Sequence, residues 1–111
     1  ASMARRTVAR GDIWQYRFAA PDKRRPVLVI SRQVALAHLH TALVAPITST
    51  IRGLPSEVSL GVDDGLKQAS VANLDHIMSV RQSDLQKYVG HIDAARMREV
   101  CRAAAIALGC A

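Results

Sequence analysis

Apolar and polar positions alternate from Gly11 to Phe18, where Trp14, Tyr16 and Phe18 are separated by Gln15 and Arg17, the period-two pattern of a strand with one buried face. Three of the chain's four aromatic side chains are spent in this one segment. A polar loop over 19–25, around Pro21 and Asp22, leads into Pro26-Val27-Leu28-Val29-Ile30, a continuous apolar run that predicts a central strand covered on both faces. Residues 34–39 suit a single helical turn. A second apolar run over 42–47 ends in Thr48-Ser49-Thr50, and Pro46 inside it predicts an edge strand or a strand end. Past Arg52-Gly53-Leu54-Pro55, alternation over 57–60 predicts a strand and 61–65 a turn; short strands follow over 70–80, and 85–92 forms a last extended piece. The period turns helical only near the end. Asp93 is a good N-cap for a helix whose apolar positions Met97, Val100, Cys101, Ala104 and Leu108 follow helical spacing, with Gly109 as the stop and Arg96, Arg98 and Arg102 on the other face. Short strands closed by one amphipathic helix predict a mainly β protein: a small, strongly bent antiparallel sheet or barrel with the C-terminal helix packed against it.

Composition sharpens this to one domain. Half of the 111 residues are hydrophobic, with 6 Gly and 4 Pro, which excludes a disordered, collagenous or low-complexity chain. A chain of this length buries enough surface to fold without metal or disulfide staples. The expected division is an N-terminal tail over 1–9, in which Ala1 and Ser2 before Met3 read as an expression scar, and a single domain over 10–111. Cys101 and Cys110 match no zinc, redox or disulfide spacing, which points to a reducing, cytoplasmic setting. The longest stretch without a formal charge, 33–51, contains His38, His40, Pro46 and several hydroxyls and does not read as a membrane span.

Charge is distributed unevenly. Residues 1–32 hold eight basic side chains and two acidic ones, whereas residues 33–111 hold seven of each, so the net +6 resides in the first third. Two readings stand at this point: a polyanion-binding face, or ordinary solubility charge with a basic N-terminus.

No Gly-rich phosphate loop, nucleophile elbow or spaced carboxylate pair announces a cofactor. His38-Leu39-His40 could put two imidazoles on one strand face, but no third ligand is placed, and exposed or core histidines are the competing account. Cys101, on the apolar stripe of the helix, reads as a packed thiol rather than a nucleophile. What does combine is the basic run Lys23-Arg24-Arg25 leading into one strand and Thr48-Ser49-Thr50 ending the next. If those strands pair antiparallel, Arg25 meets Thr48. A guanidinium fork beside a hydroxyl suits a phosphodiester; the competing account is a surface Arg beside a strand-end Thr.

Arg10-Gly11-Asp12-Ile13-Trp14, Arg25-Pro26-Val27-Leu28-Val29-Ile30-Ser31, Pro46-Ile47-Thr48-Ser49, and Gly65-Leu66 through Ser70-Val71 to Asn73-Leu74-Asp75 resemble, in order and spacing from about Arg10 to Gly109, the MazF/PemK family of toxin endoribonucleases. The resemblance implies a compact SH3-like barrel of the kind also used by gyrase poisons, with a C-terminal helix. It further implies a homodimer cutting single-stranded RNA at short sequences and neutralised by the C-terminal tail of a cognate antitoxin. Arg25 and Thr48 match the family's catalytic pair. The implied reaction needs no metal or other cofactor: the ribose 2′-hydroxyl attacks phosphorus, leaving a 2′,3′-cyclic phosphate and a 5′-hydroxyl. Asp75 matches an Asp that some relatives use as base, although an Asp at a strand end commonly caps backbone amides. Where many members read Asp-Gln-Ile-Arg-Thr-Val, this chain reads Asp75-His76-Ile77-Met78-Ser79-Val80, so His76 is a further acid or base candidate beside a structural role. Lys23, Arg24, Arg32 and Ser49 flank the expected site as RNA-backbone contacts. With the aromatics in the core, base stacking should be scarce and polar loop groups should read the RNA. The rival class is a binding protein on the same fold, either an RNA-binding module or a gyrase poison. The poisons act through a Trp-Gly-Ile tail, and this chain ends Leu108-Gly109-Cys110-Ala111.

Overall fold

The computed structural model describes residues 6–19 and 23–110; the Pro21–Asp22 part of the expected loop, the first five residues and Ala111 lie outside it. Seven strands and two α-helices follow one another as β1 (Asp12–Arg17), β2 (Arg24–Val29), α1 (Gln33–His38), β3 (Thr41–Thr48), β4 (Glu57–Leu60), β5 (Ser70–Asn73), β6 (Met78–Arg81), β7 (Leu85–His91) and α2 (Ala94–Ala107), with short 3-10 turns over 62–64, 74–76 and 82–84. The strands pair antiparallel in the order β4-β5-β3-β2-β1-β7, with β6 also on β3. The expected bent sheet is therefore present, but its hydrogen bonding does not close into a ring among the described residues.

The unbroken apolar run of β2 is explained by cover on both faces. Leu28 packs with Ile13, Ala45, Ile47, Met97 and Val100 beneath α2, whereas Val27 and Val29 pack with Trp14, Val44, Val80 and Leu85 on the opposite face. Since side chains alternate along a strand, both sets must be apolar. Val8 is also buried in the second cluster, so the packed part of the chain begins before Arg10.

β3 corrects one expectation. Pro46 lies in an interior strand, not at an edge, because β3 changes partner there: Thr41–Val44 pair with β6, and Ile47–Thr48 pair with β5. Leu43 directs its N–H to Ser31 Oγ (2.7 Å) and its C=O to Ile30 N (2.9 Å), both toward the β2 side. By alternation Pro46 turns its missing N–H toward the gap between β5 and β6, where no ladder bond is lost.

The helix corrects another. Asp93 caps α2, its carboxylate accepting from Arg96 N at 2.9 Å. The buried stripe, however, is Met97, Val100 and Ala103, with Ala104 and Ala107 packed beside it. In so Ala-rich a helix the bulkier Cys101 and Leu108 mislead the eye; both are exposed, and Cys101 Sγ accepts from Arg10 Nη2 at 3.2 Å instead of packing inside. His38 and His40 do not share a strand face: His38 is the last residue of α1 and His40 precedes β3. Among the described residues no three His, Cys, Asp or Glu side chains are grouped, and no helix is long and apolar enough to cross a membrane.

Two local devices hold the sheet's ends. Asp12 is buried and accepts from Ala9 N (2.9 Å), Trp14 Nε1 (3.1 Å) and His91 Nδ1 (2.8 Å), tying β1 to β7. Gly90 of β7 lies so close to the 62–64 turn that a Cβ there would stand 2.0 Å from Asp64 O.

Candidate nucleic-acid interface

The register of β2 on β3 runs Val27 opposite Pro46, Leu28 opposite Ala45 and Val29 opposite Val44. Continued by two residues in the same register, it sets Arg25, near the start of β2, opposite Thr48 at the end of β3. The two residues singled out from sequence thus share one rim. Both line two adjoining grooves, of about 660 Å³ and 530 Å³, that meet along Arg25, Ile47, Thr48 and Thr50.

Thr48 is held in place by its own turn. Its Oγ1 accepts from Thr50 N at 3.1 Å, which leaves the hydroxyl hydrogen available as a donor. Arg25 is exposed, and among the described residues no carboxylate is paired with it. The first groove adds Arg24, Lys67 and Lys87; the second adds Lys23, Arg52 and His76. Neither groove has an Asp or Glu among its described lining residues. Cations gathered without counter-charges in a concave surface produce a local positive potential larger than the net charge suggests, and a polyanion is the ligand that relieves it.

The other candidates separate. Lys23 lines the second groove, and Arg24 and Ser49 line the first. Arg32 lines neither; it immediately precedes α1, beyond the far end of β2 and roughly 20 Å along the chain from Arg25 at strand spacing. Asp75 also lines neither. Its carboxylate accepts from Ser56 Oγ and its backbone N donates to Asn73 Oδ1 at 2.9 Å, the arrangement of a capped 3-10 turn. His76 faces the second groove, with Nδ1 3.4 Å from Asn73 Nδ2.

Sequence reading missed Arg52, Lys67, Gln68 and Lys87 as groove residues. The pairing of β1 with β7, which sets Gln15 opposite Lys87, and the fold of the 61–69 segment over that end bring Lys67, Gln68 and Lys87 to Arg25, whereas Arg52 reaches the second groove from the loop that follows β3. The aromatics are also less completely spent than expected. Trp14 is buried, but Tyr16 and Phe18 are partly exposed and meet edge to face at 5.0 Å, and Phe18 lines the second groove.

Fold and cleft together define a class: a small bent-sheet protein with a cation-lined groove fitted to a polyanion. The chain belongs to the PemK-like, MazF-like toxins of type II toxin-antitoxin systems, whose family model matches residues 9–108. It is 44% identical over 103 residues to a Mycobacterium tuberculosis protein named "Probable endoribonuclease MazF5", covering 92% of this chain and 94% of that one. Among solved structures it is similar to the Mycobacterium tuberculosis toxin MazF-mt6, with a TM-score of 0.80 and 34% identity over 88% of this chain and 96% of that chain. It is also similar to a mycobacterial endoribonuclease solved in complex with its cognate antitoxin, with a TM-score of 0.82 and 27% identity over 92% of this chain and 95% of that chain.

Proposed function

We propose that this chain is an endoribonuclease toxin that cuts single-stranded RNA at the rim where Arg25 and Thr48 face each other. The observation that carries the reading is the β2–β3 register, which brings a guanidinium and a hydroxyl donor together between two grooves lined by cations. RNA laid along the grooves crosses the rim with one phosphodiester against both groups. The ribose 2′-oxygen attacks phosphorus as its proton passes to solvent water, the bond to the 5′-oxygen breaks as that oxygen takes up a proton from water, and the products carry a 2′,3′-cyclic phosphate and a 5′-hydroxyl. The Arg25 fork neutralises the nonbridging oxygens as charge grows on the phosphorane, and Thr48 donates one hydrogen bond to them. Arg25 is a charge stabiliser rather than a base, because a guanidinium presents only N–H donors and no acceptor. Asp75, engaged by Ser56 and outside the groove lining, serves as a turn cap.

The RNA supplies its own nucleophile, so the reaction as proposed proceeds without a metal ion. The protein works as a cytoplasmic homodimer, and an antitoxin tail, acidic and partly apolar, occupies the same grooves and blocks RNA. The test is cleavage of a defined transcript in excess EDTA, with end mapping. Arg25→Ala and Thr48→Ala each slow cutting about a hundredfold or more while the thermal melt stays in place. Unchanged cutting by Arg25→Ala removes the mechanism, and simultaneous, noncompetitive binding of RNA and antitoxin removes the shared groove.

A further inference from the structure

We infer that His76 is a fixed N–H donor to the bound RNA, presenting Nε2–H into the groove, and not a group that transfers protons. The inference rests on the RNA-cutting reading of the groove and deepens it. Asn73 is buried and lies at the end of β5, where the β3–β5 register continues to set it opposite Pro46, two residues from Thr48. Two residues along a strand are about 7 Å, so the turn that follows Asn73 overhangs the rim.

The orientation of the Asn73 amide is set by the backbone. Its Oδ1 accepts from Asp75 N at 2.9 Å, so Nδ2, which can only donate, is the atom turned toward His76 Nδ1 at 3.4 Å. A ring nitrogen facing a donor must present its lone pair. The neutral imidazole therefore keeps its proton on Nε2, the nitrogen on the other side of the ring, which is the side left for the groove. In this form His76 offers the groove no lone pair with which to take the 2′ proton. Giving up the Nε2 proton would in turn create an imidazolate, so the neutral ring is no acid either. What remains is a neutral, directed donor for a phosphate oxygen or a base acceptor, the use to which a neutral imidazole is put when it polarises an oxygen rather than protonating it. A Gln amide could offer the same N–H without any capacity for proton transfer.

Two measurements test this on the intact protein. Long-range ¹H–¹⁵N correlation spectra of the ring nitrogens at neutral pH should show the Nε2–H tautomer for His76; an Nδ1–H tautomer overturns the inference without reference to catalysis. In the second, binding of a noncleavable 2′-O-methyl oligonucleotide that spans a mapped cut site is followed by fluorescence anisotropy, alongside single-turnover cleavage of its ribose counterpart. His76→Ala should weaken binding and slow cleavage about tenfold or more, the effect of losing one hydrogen bond to a charged acceptor. His76→Gln should restore most of both losses. A His76→Gln protein as slow as His76→Ala would make His76 a proton-transfer group, and two variants indistinguishable from the parent would mean that it makes no contact; either overturns the inference. Failure of the underlying reading looks different, because Arg25→Ala would then cut as well as the parent.

Discussion

The contact between Gly90 and the 62–64 turn gives a sharp test of how the groove wall is held. A Cβ on residue 90 would stand 2.0 Å from Asp64 O and 3.0 Å from Asp64 C. An acceptable carbon–oxygen separation is a little over 3 Å, so Gly90→Ala forces roughly 1 Å of backbone movement between β7 and the turn. The turn cannot yield freely. Asp64 accepts from Gly61 N (2.9 Å) and Arg96 Nη1 (3.3 Å), and Gly65, directly after it, is itself so close to Val89 that its own Cβ would stand 2.4 Å from Val89 O. Overpacking of this kind costs about 1–3 kcal/mol. At 4–8 °C per kcal/mol for a domain of this size, a central value of about 2 kcal/mol lowers Tm by about 8–16 °C. Gly61→Ala is the matched control, since its Cβ would meet nothing within 4 Å and its backbone is extended; it should lie within about 0.5 kcal/mol of the parent or be slightly stabilising. Urea titration of both variants and the parent, followed by circular dichroism, reads the difference. A Gly90→Ala protein within 0.5 kcal/mol of the parent would refute the close-contact reasoning.

Other outcomes follow from the same geometry. Asp12→Ala removes a buried carboxylate that accepts from Ala9 N, Trp14 Nε1 and His91 Nδ1, and should lose about 2–4 kcal/mol in the same urea titration; a loss below 1 kcal/mol would show that these hydrogen bonds contribute little to folding. Thr48→Ala should slow cleavage about a hundredfold or more at unchanged Tm, since it removes a donor aimed at developing charge; a loss below threefold would place Thr48 outside the reaction. Affinity for a noncleavable single strand should fall steeply with salt, and Lys87→Ala should make the log–log slope shallower by about 0.7, one phosphate contact's worth. An unchanged slope would show that Lys87 does not touch the backbone.

The residues legible from sequence were those whose fate is decided locally. An apolar run such as Val27-Leu28-Val29 can only be covered on both faces, and an antiparallel succession of strands places the start of one beside the end of the next, which is why the sequence alone sets Arg25 beside Thr48. Lys67 and Lys87 were illegible because their approach to Arg25 depends on which strand closes the order at β1, a long-range choice without a short-range signature. Arg32 lines neither groove for the complementary reason: it is near Arg25 in sequence, but a strand carries it away at over 3 Å per residue. Pro46 lies two residues from the end of β3 yet not on a sheet edge, because a missing N–H signals an unpaired position and an interior strand that changes neighbours contains one.

That change of neighbours makes β3 a branch point, and the wedge between its two successive partners is filled by the short turn carrying Asp75 and His76. The exposed side chains in the wedge, Asp75 and His76, answer to no ladder register, unlike the buried Leu74 between them and β5. On the proposed reading, the chemistry of the rim and the choice of what is presented to it are therefore separable, because the groups that would cut lie on ladder-paired strands and the group that would read lies in the crotch of the sheet.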